Sequence, residues 1–199
     1  MMETPAKTEH GAAQPPTPAV FLDRDGTLIE DRGHLRDPAN VVFYPDTAEA
    51  LRLLRRRFLL FIVTNQPGVA EGAVSLDDVR RVNECVVQRL REAGVGVTAV
   101  YVCPHKRSEG CECIKPNPHF PRQAAATHGV DLARSYCVGD HPHDLELARR
   151  AGARGIYVLT GHGDRHRAEL PAESVVVPGI LEAARWMLRD AASMPSART

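Results

Sequence analysis

Residues 19–30 read AVFLDRDGTLIE, and this stretch decides the fold. Four apolar residues at 19–22 run into a glycine-containing turn, which is typical of a short buried β-strand. Asp23 and Asp25 stand at the end of that strand and just beyond it. Ligands of open α/β sheets bind at the carboxyl ends of the strands, so this position favours a functional site. Two adjacent carboxylates repel each other unless they share a cation or a proton. A plain surface turn that uses Asp for its turn chemistry is the open alternative.

Apolar strand-like segments and amphipathic helical segments alternate along the rest of the chain. Further strands are predicted at residues 58–63, 98–102, 135–138, 155–159 and 174–177. This alternation predicts an α/β fold with a Rossmann-like parallel sheet that is covered by helices on both faces. The irregular stretch at residues 31–45 is too short for a large cap domain, and we expect it to form a flap over the strand ends.

Composition restricts the class of protein. The 199 residues, 43% of them hydrophobic, predict one domain, which we expect at residues 18–190 between disordered tails at 1–17 and 191–199. Lys plus Arg and Asp plus Glu both number 25, so the net charge of zero argues against nucleic acid or an anionic membrane as partner. The chain shows no apolar run long enough for a membrane span and no signal-like start. A cytoplasmic protein is expected, and we also expect a monomer.

Polar residues follow several of the predicted strands, and parallel strands carry their carboxyl ends to one edge. We therefore expect five side chains to converge there: Asp23, Asp25, Thr64, Lys115 and Asp140. Three carboxylates, Asp23, Asp25 and Asp140, suit Mg²⁺, which takes few protein ligands together with water and phosphate. A lysine and a threonine can hold phosphoryl oxygens. One carboxylate as nucleophile and a second as acid and base would complete phosphoryl transfer to water.

A second group of potential metal ligands follows the third predicted strand. Cys103, His105, Cys111 and Cys113 offer four soft ligands within eleven positions, which is the set that a closed, structural Zn²⁺ site takes. Five cysteines, an odd number, fit metal binding in a reducing compartment better than a disulfide framework. A cysteine cluster without metal is the alternative. A loop this short and polar has no core of its own, so metal would contribute its folding free energy.

The motif D-x-D-G-T at residues 23–27, followed in order by Thr64, Lys115 and Asp140, resembles the four motifs of the haloacid dehalogenase-type phosphatases. The resemblance runs from residue 19 to about residue 161. It implies an aspartyl-phosphate mechanism with these roles: nucleophile Asp23, general acid and base Asp25, motif-two Thr64, motif-three Lys115 and metal ligand Asp140. Asp144 is expected to orient Asp140 or a metal-bound water.

The cysteine-rich loop resembles that of the capless, zinc-loop subfamily, which includes phosphatases of a heptose bisphosphate and of histidinol phosphate. The segment TNQPGVAEG at residues 64–72 is more similar to the heptose branch. The resemblance implies a small phosphorylated metabolite as partner, with a phosphosugar of carbohydrate metabolism favoured and histidinol phosphate or another phosphosugar as alternatives. The implied substrate-binding positions are Asp31, Arg32, Gly33, His34, Asn65, Gln66, Ile114 and His141.

Three positions depart from the heptose pattern, since Glu71, Ile114 and His141 each stand where that branch usually has a cation. These departures bear on the substrate rather than on the reaction. An inactive, phosphate-binding regulatory protein on the same fold is the alternative from another class, although the catalytic positions are all retained. A nucleic acid 3'-phosphatase would need a basic groove that the balanced charge does not suggest. Of the remaining histidines, His162 and His166 are expected to face solvent.

Overall fold

The fold is built on a six-stranded, wholly parallel sheet. The computed structural model describes residues 16–194. The strand order is β3-β2-β1-β4-β5-β6. The strands are β1 (Ala19–Leu22), β2 (Leu59–Asn65), β3 (Ala99–Cys103), β4 (Tyr136–Gly139), β5 (Arg154–Val158) and β6 (Val175–Val177). The helices are α1 (Thr47–Leu54), α2 (Leu76–Glu92), α3 (His119–His128), α4 (Pro142–Ala151), α5 (Gly163–His166) and α6 (Ile180–Ser193).

Alternation along β1 divides the core between the two faces of the sheet. Val20 and Leu22 belong to a cluster that includes residues of α1, α2 and α6, whereas Phe21 belongs to one that includes residues of α3 and α4. Successive side chains of a strand point to opposite faces, so a strand that is apolar throughout must be covered on both. All four residues of β1 are buried, as this central position requires.

The predicted α/β fold with helices on both faces is confirmed, with element ends shifted by a few residues. Helix α6 runs to Ser193 and so extends past the domain end that we expected at residue 190. Ser75 caps α2 as its sequence suggests, through a capping box with Asp78. Asp46 precedes α1, but its side chain makes no capping hydrogen bond.

The expected tail boundaries need two corrections. Thr17, assigned to the first tail, pairs with Val130 in an isolated parallel bridge, and its carbonyl accepts a hydrogen bond from the Asp131 amide. Ala191, assigned to the second tail, is buried in α6 because the apolar face of that helix continues past residue 190. The other predicted tail segments, 1–15 and 195–199, lie outside the described residues.

The segment between β1 and α1 forms a short flap, in agreement with the prediction of no large cap domain. It holds one 3₁₀ turn, Pro38–Asn40, and is joined to its own base by a bridge between Ile29 and Phe43. Leu35 and Val41 anchor it in the larger apolar cluster. Among residues 16–194, no helix has both the length and the apolar character that crossing a bilayer requires.

Ser135, just before β4, joins two segments that are far apart in sequence. Its buried hydroxyl oxygen accepts a hydrogen bond from the Ala19 amide at 2.9 Å, and the hydroxyl donates to the Asp131 carbonyl at 2.5 Å. The start of β1 therefore depends on this side chain for its first amide hydrogen bond. Leaving a buried amide without an acceptor is costly.

We expect Ser135→Ala to lower the free energy of unfolding by about 1–3 kcal/mol, because the buried Ala19 amide loses its acceptor. Urea unfolding followed by circular dichroism measures this. The matched control is Ser193→Ala, whose exposed hydroxyl donates only within its own helix and which should change stability by less than about 0.5 kcal/mol. Equal stability of the two variants would contradict the role assigned to Ser135.

Candidate active site

A pocket of about 250 Å³ lies at the carboxyl ends of β1, β2 and β4. Its lining consists of Asp23, Asp25, Asp31, Asn65, Pro67, Lys115, Asp140, His141, His143, Asp144 and His162. A larger groove of about 800 Å³ runs along α2 and β3, but none of these carboxylates lines it. The smaller pocket is therefore the candidate site, because the ionisable groups converge there.

The Lys115 side chain bridges two carboxylates of the pocket. Its Nζ atom donates to Asp23 Oδ1 at 2.6 Å and to Asp144 Oδ1 at 2.8 Å. All three side chains are largely buried, with Lys115 only 6% exposed. The two carboxylates raise the pKa of the ammonium group against the opposing effect of burial, so Lys115 is a cation here. The Lys115 amide also donates to Asn65 Oδ1 at 3.1 Å, which attaches the lysine to the end of β2.

Asp140 follows β4 directly, and its carboxylate lies against two glycines. At Gly26 and Gly161 the backbone has φ values of +79° and +57°, and a Cβ at either would overlap Oδ2 of Asp140. Glycine at both positions thus allows the left-handed conformation and the close approach of the carboxylate. Oδ2 of Asp140 also accepts a hydrogen bond from the His162 amide at 2.7 Å.

The Asp25 carboxylate is held on several sides. Arg24 forms a fork on it, with Nε to Oδ2 at 3.1 Å and Nη2 to Oδ1 at 3.2 Å. Gln66 Nε2 donates to Oδ2 at 2.9 Å, and Thr64 Oγ1 approaches the same oxygen at 3.4 Å. Gln66, predicted as a substrate ligand, thus makes its contacts with Asp25 and with Thr64.

The acidic groups of the pocket are not balanced by nearby cations. Burial raises the pKa values of Asp23 and Asp25, and it raises that of Asp140 to about 8, with the charge of Asp23 adding to the shift at Asp140. Apart from Asp31, which lies beside His162, four carboxylates would be ionised here, those of Asp23, Asp25, Asp140 and Asp144, and within residues 16–194 their cation partners are Lys115 and Arg24. The excess of two negative charges is what a divalent cation would neutralise.

Three of these carboxylates form a set that fits such a cation. Oxygen atoms of Asp23, Asp140 and Asp144 lie within 4.8 Å of one another. Hard carboxylate oxygens in a partly open pocket suit Mg²⁺, which keeps several waters. The set differs from our prediction, which contained Asp25 in place of Asp144. Asp25 stands outside it because Arg24 and Gln66 hold its carboxylate.

The predicted zinc ligands come together at the end of β3. The ligand atoms of Cys103, His105, Cys111 and Cys113 lie within 4.8 Å of one another. The sulfur–sulfur distances are 3.2–3.6 Å, too long for a disulfide bond and close to the edge of a zinc–thiolate tetrahedron, about 3.8 Å. Burial raises the pKa of the Cys103 thiol, so its ionisation requires a cation. The donor set therefore fits Zn²⁺.

The four flap residues predicted to bind substrate do not lie together in the pocket. Only Asp31 lines the pocket, and its Oδ2 lies 2.8 Å from His162 Nε2. Arg32 is paired with Glu30 near the surface, and the Gly33 amide donates to Asp31 Oδ1. His34 packs against Gly68 and lies 3.8 Å from Glu71, so it connects the flap to the loop after β2.

Ile114 does not line the pocket, although we predicted it as part of the wall. Its side chain is only 8% exposed and packs in the smaller apolar cluster with Phe120. The predicted residue His141 does line the pocket, and its ring is stacked 4.3 Å from that of His143. His143 Nε2 lies 2.9 Å from Arg107 Nη2, which joins the cysteine-rich loop to the start of α4.

Sequence reasoning missed two kinds of residue. His162 was expected to face solvent, yet it lines the pocket and its amide holds Asp140. Arg24 and Asn83 were not considered at all. A glycine turn directly before His162 is the only signal that pointed to a functional loop there.

Several known proteins are similar to this chain in sequence and in fold. A family model described as HAD-hydrolase-like matches residues 112–183. A D-glycero-β-D-manno-heptose-1,7-bisphosphate 7-phosphatase of Yersinia pestis is 36% identical over 188 residues, which cover 90% of this chain and 94% of the relative. A D-glycero-D-manno-heptose-1,7-bisphosphate 7-phosphatase of Thermosynechococcus vestitus is 38% identical over 162 residues, covering 75% of this chain and 83% of the relative.

The solved structures include a similar chain with ligands bound. The crystal structure of D,D-heptose 1,7-bisphosphate phosphatase from B. bronchiseptica, complexed with magnesium and phosphate, superposes with a TM-score of 0.80 at 30% identity. The match covers 87% of this chain and 99% of that one. Sequence similarity, sheet order and pocket together lead to one conclusion: this chain belongs to the haloacid dehalogenase-like hydrolases, in the branch that contains the heptose bisphosphate phosphatases.

Proposed function

We propose that this protein is a magnesium-dependent phosphatase that hydrolyses a phosphate monoester through an aspartyl-phosphate on Asp23. The observation that carries the proposal is the Lys115 bridge between Asp23 and Asp144, beside Asp140 and Asp25 in one pocket. This arrangement supplies a carboxylate nucleophile, a fixed cation for phosphoryl oxygens and a second carboxyl group for proton transfer.

In the first half-reaction, an Asp23 carboxylate oxygen attacks phosphorus while the bond from phosphorus to the ester oxygen breaks. Asp25 gives its proton to that leaving oxygen, so the alcohol departs neutral. Lys115 orients Asp23 through Oδ1 and offers positive charge to the transferred group. Asn65, at the end of β2, lines the pocket and supplies an amide group for phosphoryl oxygens. Thr64, predicted for the same task, is buried and contacts Asp25 and Gln66 instead.

In the second half-reaction, Asp25 takes a proton from a water molecule that attacks phosphorus. The bond from phosphorus to Asp23 breaks, and inorganic phosphate and the free carboxylate are restored. The carboxylates that would hold Mg²⁺ are Asp23, Asp140 and Asp144. When bound, Mg²⁺ withdraws negative charge from the phosphoryl group and balances the excess charge of the pocket.

We propose the 7-phosphate of D-glycero-D-manno-heptose 1,7-bisphosphate as the group removed. The names and coverage of the Yersinia and Thermosynechococcus relatives support this substrate. His141 and His143 form an uncharged part of the pocket wall. This wall is also compatible with the alternative substrates named above, histidinol phosphate or another phosphosugar. Burial lowers the pKa values of both imidazoles, to about 4 for His143, so neither is a cation near neutral pH.

We propose that the ligands Cys103, His105, Cys111 and Cys113 hold one structural Zn²⁺. The mutual distances of their ligand atoms support a closed site of four. Reduced thiols in this number also support a cytoplasmic location. Because Arg107 of this loop contacts His143, a metal that fixes the loop would also fix the position of His143 in the pocket wall.

Replacing the nucleophile tests the reaction. Asp23→Asn keeps the size of the side chain but removes the anionic nucleophile, so kcat should fall at least about a thousandfold. Release of inorganic phosphate from 4-nitrophenyl phosphate with Mg²⁺ measures this. Asp164→Asn, an exposed change on α5, serves as control and should retain wild-type activity. A variant at position 23 with more than a tenth of wild-type activity would refute Asp23 as nucleophile.

A substrate comparison tests the metabolite. With D-glycero-D-manno-heptose 1,7-bisphosphate of either anomer, we expect kcat/KM to exceed the value for histidinol phosphate by at least about a hundredfold, corresponding to about 2.7 kcal/mol of transition-state binding. Phosphorus NMR of the product should show loss of the 7-phosphate and retention of the 1-phosphate. A preference for histidinol phosphate would instead favour the alternative.

Elemental analysis tests the zinc site. Protein purified without chelators should carry about one zinc per chain, as a closed four-ligand site requires. Cys111→Ser should lower the zinc content and raise KM more than it lowers kcat, because Arg107 of this loop contacts His143 in the pocket wall. Cys137→Ser, which changes a buried thiol of β4 away from the cluster, is the control and should retain zinc. A wild-type protein without zinc would remove the metal from this loop.

A further inference from the structure

Arg24 is a fully buried cation that the reaction described above does not use. Its exposure is 0%, and it lies between the two aspartates at the end of β1. Burying a guanidinium group away from water is costly unless carboxylates and hydrogen-bond acceptors receive its N–H groups. The buried guanidinium group of Arg24 therefore needs partners that accept hydrogen bonds from its N–H groups.

The partners of Arg24 lie on opposite sides of its guanidinium group. Nε and Nη2 point at the Asp25 carboxylate, with the shortest distance 2.8 Å between Nη2 and Oδ2. Nη1 donates to Asn83 Oδ1 at 2.6 Å. Asn83 is only 7% exposed and sits in the middle of α2, on the side that also carries the buried residues Val79 and Val86. The contact spans 59 positions of sequence.

Proton transfer by Asp25 depends on the direction of its carboxyl group. An aspartate has two side-chain torsions, and a free carboxyl group rotates about the second. The Arg24 fork contacts both carboxylate oxygens and so restrains this rotation, because two parallel hydrogen bonds define a plane. Asn83 in turn restrains the arginine, and α2 is a long helix of 17 residues with a capping box at its start.

Resting on the proposed function, we propose that Arg24 and Asn83 are positioning residues that set the direction of the Asp25 carboxyl group for proton transfer. Neither residue lines the pocket, so neither is expected to contact substrate. Their loss should affect the steps that need Asp25 and spare the attack by Asp23. The two steps differ when the leaving group departs without protonation.

The compound 4-nitrophenyl phosphate separates the two steps. Its leaving group needs no proton, so formation of the aspartyl-phosphate should not depend on Asp25. Hydrolysis of the aspartyl-phosphate still needs Asp25 as base. A variant with a misdirected Asp25 should therefore release one equivalent of nitrophenolate quickly and then turn over slowly. A general loss of folding would instead reduce both phases together.

The experiment compares first-turnover and steady-state rates of Arg24→Met and Asn83→Leu with the wild type by stopped flow with Mg²⁺. We expect the steady-state rate to fall at least about tenfold, part of the 10²–10⁴ that general acid–base catalysis contributes, and the first-turnover rate to fall less than about threefold. The burst should approach one nitrophenolate per chain. Arg89→Met is the matched control, because this α2 arginine donates to the Val41 carbonyl away from the pocket.

Two further comparisons give the proposal its sharpest test. Arg24→Lys keeps a buried cation but lacks the fork, so it should behave like Arg24→Met; wild-type kinetics in this variant would show that charge alone matters and would overturn the proposal. Equal losses in both phases, or no loss in Asn83→Leu, would also overturn it. Should Arg24→Met fail to fold, Asn83→Leu gives the answer alone. If the proposed function itself were wrong, the result would differ: the wild-type protein would be inactive as a phosphatase, or Asp23→Asn would remain active.

Discussion

The ammonium group of Lys115, buried between the carboxylates of Asp23 and Asp144, is the interaction on which the rest of the site depends. It joins the end of β1, the start of α4 and the loop that follows β3, and its amide reaches the end of β2. Removing the ammonium group would leave two carboxylates in the interior without their shared cation, which is among the costlier changes in a protein. The lysine therefore holds these segments together, in addition to the role proposed for it on the phosphoryl group.

The parallel sheet explains why much of the site was predictable from the sequence. Residues that directly follow a strand, such as Asp23 and Asp140, have their positions determined by the fold class, because parallel strands end at one edge. The proximity of Cys103, His105, Cys111 and Cys113 was also predictable, because four soft side chains within eleven positions lie in one short loop. The two-sided core followed from the unbroken apolar character of β1 and β2, whereas the order of the strands was not predicted.

Other residues were not predictable because their roles depend on side-chain direction and on long-range packing. Ile114 precedes Lys115, and nothing in the pattern says that it turns into the apolar cluster around Phe120 rather than toward the pocket. His162 contributes a backbone amide, a group that every residue except proline carries. Asn83 is a polar residue on the buried side of an amphipathic helix, and its reason for being there is an arginine 59 positions earlier.

The two glycines around Asp140 have an evolutionary consequence. Gly26 and Gly161 come from turns 135 positions apart, yet both backbones press on the same carboxylate oxygen. A side chain at either would displace Asp140, and no compensating change at the other could restore the space. Gly26, Gly161 and Asp140 are thus expected to be retained together, because they are closed to the gradual substitution that can alter pocket walls such as His141 and His143. Changes of substrate are accordingly expected to arise from substitutions in the pocket wall.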